Sequence, residues 1–335
     1  MSKILVTGGL GYIGSHVVVE LQNEGFEVII IDNLLNSSES VIKNIYEITG
    51  LKPDFEKIDL RNKSHLTSFF KKNTGIDGVI HFAASKSVAE SVANPLMYYE
   101  NNLNSLVHLL EGMRTLKLPK LIFSSSCTVY GEPEKLPVSE ESPIKKAESP
   151  YGESKQICEK LLNKVDLNSV SLRYFNPIGS HESGLIGDCS YDKASNLVPI
   201  ITETAIGIRE QITVFGDDYN TPDGTCLRDY IHVVDLANAH VKALNYANDN
   251  PVAEVFNLGS GAPASNKELV ETVQKYTGKM NIEMHDNRPG DPAYLVADIT
   301  KVKQILDWQP TQSSIDNVVS TAVQWYNKVH KKEIQ

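Results

Sequence analysis

Long apolar runs are scarce in this sequence. Val28 to Ile31 is a typical stretch, and none approaches the roughly 18 residues that span a bilayer, so no membrane association is expected. The opening Ser2-Lys3-Ile4-Leu5-Val6 lacks the charged-then-apolar layout and small-residue cleavage site of a secretory signal, and a cytoplasmic location is expected. Cysteine is also sparse. Cys127, Cys158, Cys189 and Cys226 are widely spaced and form no C-x-x-C pair, which argues against a zinc site or a redox pair. The nine histidines are scattered without an H-E-x-x-H pattern, so no metal is expected. There is no block of Lys and Arg, and a net charge of −10 argues against a nucleic-acid partner bound through a broad positive face. An anionic substrate must then be held by a few local arginines and helix N-termini.

What is present is an ordinary globular composition, 41% hydrophobic and 22% charged, in 335 residues, enough for two domains or one with a large appendage. Up to about residue 175, short apolar runs alternate with amphipathic stretches, the pattern of βαβ units. Strands are expected at Lys3–Thr7, Glu27–Ile31, Asp54–Ile58, Gly78–Phe82, Lys120–Ser124 and Ser169–Tyr174. The fold class is therefore α/β, a doubly wound parallel-sheet Rossmann domain (1–175, with about 231–258 returning) and a smaller mixed C-terminal substrate domain (176–230 and 259–335). Beyond Asn176 the rhythm breaks into loops such as Asn220-Thr-Pro-Asp-Gly224 and Arg288-Pro-Gly-Asp-Pro292. One regular piece, Ile231-His-Val-Val234 and an Ala-rich helix from Asp235, is expected to return to the sheet. Ser265-Asn-Lys-Glu268 reads as a capping box opening another helix.

Gly8-Gly9-Leu10-Gly11-Tyr12-Ile13-Gly14 directly follows the first strand and opens a helix. Glycines there permit a tight turn, close approach of the backbone to a pyrophosphate, and packing of helix on strand, with N-terminal amides left for phosphates. Asp32 ends the second strand near the position where an acid holds the adenosine ribose. A carboxylate there repels a 2′-phosphate and neither Asn33 nor Leu34 accepts one, so NAD is expected over NADP. Asp59, closing the third strand, suits an adenine contact.

Ser149-Pro150-Tyr151 reads as a helix start, with Ser149 as N-cap and Pro150 first in the helix. Tyr151 and Lys155, four apart, share a face. A lysine ammonium together with a positive nicotinamide ring favours a phenolate, which makes a base poised nearer neutrality than a free phenol. Ser124-Ser-Ser126 follows a strand and places hydroxyls at the same sheet edge.

A glycine-rich first turn, a strand-end serine and a helix-borne Tyr/Lys pair, in that order, resemble the extended short-chain dehydrogenase/reductase family. Within it the chain is similar to UDP-galactose 4-epimerases over nearly its whole length. The matching stretches are Val6-Thr-Gly-Gly-Leu-Gly-Tyr-Ile-Gly-Ser-His16, Ile31-Asp-Asn-Leu34 with Asn36-Ser37, His81-Phe-Ala83 with Lys86, Tyr99-Glu-Asn101, Phe123-Ser-Ser-Ser126, Ser149-Pro-Tyr-Gly152 with Lys155, and Arg173-Tyr-Phe-Asn-Pro177. Asn196-Leu197, Phe215-Gly216, Arg228-Asp-Tyr-Ile-His232 and Arg288-x-Gly-Asp291 continue the match.

The resemblance implies Tyr151 as base, Lys155 as ribose ligand and electrostatic partner, and Ser126 as a bridge to the sugar hydroxyl. It implies an NAD site drawn from the glycine turn, Asp32, Asn33, Asn36, Ser37, Asp59, Leu60, Phe82, Ala83, Lys86, Asn101 and Phe175. It further implies that Lys86, Asn176, Asn196, Leu197, Phe215, Arg228, Arg288 and Asp291 hold a UDP-hexose, and that the chain is a homodimer. Read as residues alone, Arg228 and Arg288 suit either a diphosphate or surface salt bridges, and Phe215 either stacks on uracil or fills a core. In similar epimerases the fourth residue after the Asp of Arg-x-Gly-Asp gates the sugar's C2 substituent, and the resemblance implies that role for Leu295, counting from Asp291; a one-residue slip would put Tyr294 there. An intermediate gate implies some action on N-acetylated UDP-hexoses. A 4,6-dehydratase is disfavoured because Cys127-Thr128 stands where it needs Asp-Glu, and a non-catalytic NAD sensor because Tyr151 and Lys155 are both present.

Overall fold

The computed structural model describes residues 2–188, 197–205, 207–250, 253–286 and 292–330. Among them the strands run, in chain order, β1 Lys3–Thr7, β2 Glu27–Asp32, β3 Asp54–Lys57, β4 Gly78–His81, β5 Lys120–Ser126, β6 Asn168–Tyr174, β7 Asn176–Ile178, β8 Ile212–Phe215, β9 Leu227–His232, β10 Ala253–Leu258, β11 Pro263–Ser265, β12 Ile282–His285 and β13 Tyr294–Leu295. The chain forms two compact units. One comprises Met1–Pro133, Ser142–Tyr174 and Ala237–Phe256, the other Glu134–Glu141, Phe175–Leu236 and Asn257–Gln335.

In the first unit a seven-stranded sheet has the order β10-β6-β5-β4-β1-β2-β3. The pairings of β1 with β2 and β4, β2 with β3, β4 with β5, and β5 with β6 are all parallel. Parallel strands need crossovers, and helices supply them: Tyr12–Asn23, Ser40–Thr49, Lys63–Lys72 and Pro95–Leu116. Helices on both faces leave the central strands no solvent side, so they read as unbroken apolar runs. Ile4, Leu5, Val6, Ile30 and Ile31 accordingly have no exposed surface. One face of the sheet is sealed by Phe69, Phe70, Leu106, Leu109 and Met113 against Leu5, Val79, Leu121 and Phe123. The chain leaves β1 toward β2 and β3, then crosses to β4 on the other side. Such a reversal opens a crevice at the carboxyl ends of β1 and β4.

The expected strands are present with shifted ends. β2 runs on to Asp32 and β5 to Ser126, because β5 stays in register with β6 as far as the Ser126–Tyr174 pair. The stretch Ile231–Val234 departs from expectation. Ile231 and His232 end β9, which lies in the second unit's sheet, while Val233 and Val234 begin the helix Val233–Asp249. The His232 ring explains the change, since its Nδ1 accepts the Val234 N–H at 3.1 Å and stops the strand there. The strand that does return to the large sheet is β10.

In the second unit β9 is central, flanked by β11 and β13 and paired with β7; β8 and β12 form a separate parallel pair. Ile201, Ile212, Val214, Leu269, Val273, Val318 and Val319 make its core. Ser265 caps the helix Asn266–Thr277 by accepting the Glu268 N–H at 2.9 Å. Residues Glu134–Glu141, which the sequence places between β5 and the Tyr151 helix, belong to this unit. Val138 bridges Ala297, and its carbonyl accepts the Asp298 N–H at 2.7 Å.

His81, the last residue of β4, is buried with Nδ1 2.7 Å from the Thr7 hydroxyl. Burial, with a smaller push from the Lys155 charge, holds its pKa down at about 3. The imidazole is therefore neutral in the fold but titrates near ~6.5 in the unfolded chain. Its contribution to stability is complete above about 6.5 and is lost as pH falls from there toward about 3, at about 1.4 kcal/mol per pH unit. His232, lowered by burial to about 4, acts in the same direction. Urea unfolding is expected to show a lower midpoint at pH 5 than at pH 7, with a shallower pH dependence in His81→Gln. Equal pH dependence in wild type and variant would contradict the assignment.

Candidate active site

The turn after β1 is built around two backbone approaches. Gly8 donates its N–H to Ile31 O at 2.7 Å, while Phe82 and Ala83 both donate to Thr7 O, at 2.9 and 3.2 Å. Gly8 thus sits between the ends of β2 and β4, at φ 71°, where a Cβ would lie 2.8 Å from Ala83 N. A Cβ on Gly14 would lie 2.2 Å from Gly8 O, so only glycine lets the helix Tyr12–Asn23 come down on the turn. Gly11 is the N-cap and supplies no side-chain cap. A helix N-terminus without a side-chain cap suits an anion.

Asp32 closes the turn from the other side. Its Oδ2 accepts the Leu10 N–H at 3.1 Å, and its Oδ1 accepts the Leu34 N–H at 2.9 Å and the Ser37 hydroxyl at 2.7 Å. Asn36 is exposed in the same loop. Asn33 donates to Asp59 Oδ2 at 3.3 Å. Arg61 forks onto Asp59, with Nη2 to Oδ2 at 2.6 Å, and this holds the carboxyl down at about 2. Leu60 is a core residue whose carbonyl meets His108 Nδ1 at 2.9 Å. Phe82 packs on His240 at 4.9 Å between ring centroids, and the exposed Lys86 places Nζ 5.9 Å from the Tyr12 ring. Asn101 donates to Ser85 Oγ at 3.0 Å.

The helix Pro150–Leu162 starts as its sequence dictates, Ser149 Oγ accepting the Gly152 N–H at 3.2 Å. Lys155 is buried one turn after Tyr151, its Nζ 5.8 Å from the Tyr151 ring centroid and 4.8 Å from that of Phe123. It donates to Ser124 O at 2.7 Å. Ser126, the last residue of β5, shares a side-chain hydrogen bond with Tyr151, and its Oγ accepts from the Thr128 hydroxyl at 3.0 Å. Tyr151, Lys155 and Ser126 are thus brought together at the β5 edge. Burial lowers Lys155 to about 8. Burial also pushes Tyr151 up to about 12, against the Ser126 hydrogen bond, so the polypeptide alone holds a neutral phenol.

Two positioning residues were not singled out in the sequence. Asn102 accepts the Ser85 N–H at 2.8 Å and donates to Ser85 O and Ser154 Oγ, both at 3.1 Å, clamping the loop after β4 to the Tyr151 helix. Tyr98 accepts the Ser87 N–H at 2.8 Å, donates to Glu90 at 2.6 Å and meets the Tyr151 ring edge-on. Their signal is an i, i+4 polar pair on the buried face of the helix Pro95–Leu116.

In the second unit Asn176 starts β7 and donates to Asp229 O at 3.0 Å. Phe175, buried, donates its N–H to Leu258 O at 3.0 Å. Leu197 packs on the unit's core. Phe215 ends β8 with its ring 5.7 Å from that of His285. Arg228 lies on β9, with Nη1 donating to Leu227 O at 2.9 Å, and Leu295 on β13 is its register partner. Side chains alternate along a strand, so Leu295 shares a face of this sheet with Arg228 and Tyr294 takes the other. Asp229, fully buried, accepts from the Ser260 hydroxyl at 2.6 Å and from the Gly261 and Ala297 amides at 3.1 Å, fixing the strand on both sides of Arg228. Asn196, Arg288 and Asp291 lie outside the described residues, as does Cys189.

The fold and this constellation define a dinucleotide-binding α/β protein carrying the Tyr/Lys/Ser set of a hydroxyl-oxidising centre. The chain belongs to the NAD dependent epimerase/dehydratase family, whose profile matches residues 4–259. It is 44% identical over 328 residues to a UDP-glucose 4-epimerase of Bacillus subtilis, covering 96% of each chain. It is also similar in structure to a UDP-glucose-4-epimerase of Stenotrophomonas maltophila solved with bound NAD and formylated UDP-arabinopyranose, with TM-score 0.95, 40% identity and coverage of 99% of this chain and 100% of that one. A third likeness is the UDP-glucose 4-epimerase of Bifidobacterium longum in complex with NAD+ and UDP, with TM-score 0.92, 40% identity and 98% of each chain covered.

The glycine turn fits a dinucleotide because backbone packs so closely at Gly8 and Gly14 that only glycine is accommodated, which brings the helix N-terminus down onto the turn. Gly14→Ala must displace the Gly8 carbonyl, an overpacking cost of about 1–3 kcal/mol. The variant is expected to retain less NAD per chain after gel filtration and to melt earlier. Wild-type cofactor content with an unchanged melting midpoint would contradict this.

Proposed function

We propose that this chain inverts the C4 hydroxyl of a UDP-hexose, interconverting UDP-galactose and UDP-glucose with NAD. The observation that carries the reading is the assembly of Tyr151, Lys155 and Ser126 at the end of β5, in the same sheet as the glycine cradle. Near-full-length similarity to UDP-glucose 4-epimerases supports it.

Bound NAD supplies the hydride acceptor at C4 and a positive ring whose charge favours the Tyr151 phenolate; because hydride returns to the same carbon, the cofactor is regenerated in each turnover. Tyr151 takes the C4-hydroxyl proton as the C–H bond breaks, leaving a 4-keto sugar, and returns the proton once the other face of the ketone has been reduced. Ser126, within hydrogen-bonding reach of Tyr151, orients the sugar hydroxyl. Lys155 holds a positive charge near the phenol. Arg228, Asn176 and Phe215, with Asn196, Leu197, Arg288 and Asp291, are assigned to the UDP moiety. A 4,6-dehydratase needs a second acid/base pair, and the residues after Ser126 carry none: Cys127 is a buried thiol, and Thr128 lies inside the short helix Cys127–Tyr130, where its N–H donates to the capping Ser126 Oγ at 3.2 Å.

The chain is assigned to the cytoplasm as a homodimer. Among the described residues no helix is long and apolar enough to cross a membrane. Exposed Leu96, Val107 and Ile157, on the neighbouring helices Pro95–Leu116 and Pro150–Leu162, offer apolar surface to a second copy.

UDP-galactose incubated with the purified enzyme and no added cofactor is expected to reach equilibrium with UDP-glucose. Tyr151→Phe is expected to slow this by roughly 10²–10⁴-fold with KM largely preserved, since only the proton acceptor is lost. A 6-deoxy-4-keto product, or near-normal turnover in Tyr151→Phe, would overturn the reading.

The shared face of Leu295 and Arg228 supports Leu295, rather than Tyr294, as the gate beside the C2 substituent. A few methylenes discriminate by about 1–3 kcal/mol, so leucine biases without forbidding. UDP-N-acetylgalactosamine is expected to turn over slowly, and Leu295→Tyr to suppress that activity selectively. An unchanged ratio of kcat/KM for the two sugars would remove Leu295 from the gate.

A further inference from the structure

Glu159 lies one helical turn beyond Lys155 and two beyond Tyr151 on the helix Pro150–Leu162, and it is buried. Its Oε1 accepts from the Ser125 hydroxyl at 2.5 Å and from Arg173 Nε at 3.0 Å, and its Oε2 accepts from Arg173 Nη2 at 2.6 Å. Arg173 also donates through Nη1 to the Tyr130 hydroxyl at 2.8 Å, with its guanidinium 4.7 Å from that ring. Ser125 and Arg173 are register partners on β5 and β6.

A buried ion pair carries a heavy desolvation penalty and is weak evidence of a stabilising role. The placement of this one points elsewhere. Tyr151, Lys155 and Glu159 recur at i, i+4 and i+8, on one helix face. Each meets one of three consecutive residues of β5: Tyr151 meets Ser126, Lys155 meets the Ser124 carbonyl, and Glu159 meets the Ser125 hydroxyl. The helix is thereby pinned to the strand at three points, and the Glu159 point is the one locked from a third element, β6.

We infer that Glu159, anchored by Arg173, is a positioning residue for the epimerase reaction: it sets Tyr151 and Lys155 in register with Ser126. The inference rests on the reading proposed above. The titratable groups around Lys155 are Tyr151, Cys158 and Glu159 on its own helix and His81 on β4; Tyr174 on β6 faces Tyr151. His81 is held neutral, the Cys158 thiol is pushed up to about 11 by burial, and burial also raises Tyr174. Glu159 is thus the carboxylate of the set. It opposes the burial that lowers Lys155, so removing its charge lets the lysine lose its proton at lower pH.

Glu159→Gln keeps the side-chain shape and an acceptor for Ser125. In the holoenzyme it is expected to lower kcat about 10- to 100-fold, as a small misplacement of reacting groups does. KM for UDP-galactose and NAD content per chain are expected to stay near wild type, while the alkaline limb of kcat moves about one pH unit lower. Because that variant leaves Arg173 unpaired, Ser125→Ala is the second test; it keeps the ion pair and removes the tie to β5, and a kcat several-fold lower at unchanged KM is expected. An unchanged kcat and pH profile, or a parallel loss of kcat, substrate affinity and NAD, would overturn the inference. Wild type assayed alongside separates the two claims. An inactive wild type overturns the epimerase reading and this inference together, and an active wild type with indifferent variants overturns this inference alone.

Discussion

The close approach of Gly8 to the backbone at Phe82–Ala83 is the constraint on which the rest of the first unit depends. The Thr7 carbonyl accepts two amides from the segment after β4, and the Gly8 amide reaches across to β2. Two strands that run apart in the chain are thereby closed around one turn at the point where the strand order reverses. A side chain at Gly8 would separate β1 from β4, and one at Gly14 would lift the helix whose N-terminus faces the opening. A dinucleotide pyrophosphate suits this place because close packing has already excluded side chains from it and left amides behind.

The chemistry sits one strand further along, at β5, and its electrostatics follow from burial. Desolvation raises the Tyr151 phenol and lowers the Lys155 ammonium to about 8, so the polypeptide alone keeps a neutral phenol beside a lysine that is still a cation at neutral pH. Such a pair becomes a base when positive charge is brought close to the phenol. Ser126 favours the phenolate and Glu159 favours the ammonium, each opposing the effect of burial on its neighbour.

Features set by local chain geometry were legible in the sequence. The glycine turn could be read because its spacing answers a steric demand, and the Tyr151 helix because Ser149 and Pro150 announce its start and a period of 3.6 puts Tyr151 above Lys155. Features set by pairing between distant strands were not. Asn102, Glu159 and Arg173 read as ordinary polar residues until β5, β6 and the two helices are brought together. Ile231–Val234 is an apolar run short enough to serve as strand or helix, and the His232 ring divides it. Counting from Asp291 favours Leu295 and leaves Tyr294 as a one-residue slip, and the sequence does not show that the two lie on opposite faces, which only the β13–β9 register does.

The central claim is that hydride leaves C4 of the sugar and returns to the same carbon within one closed cycle. UDP-galactose carrying deuterium at C4, turned over in ordinary water, tests it most directly. The account predicts UDP-glucose that keeps the deuterium at C4 through many turnovers. Loss of the label to solvent, or its appearance at another carbon, would contradict it.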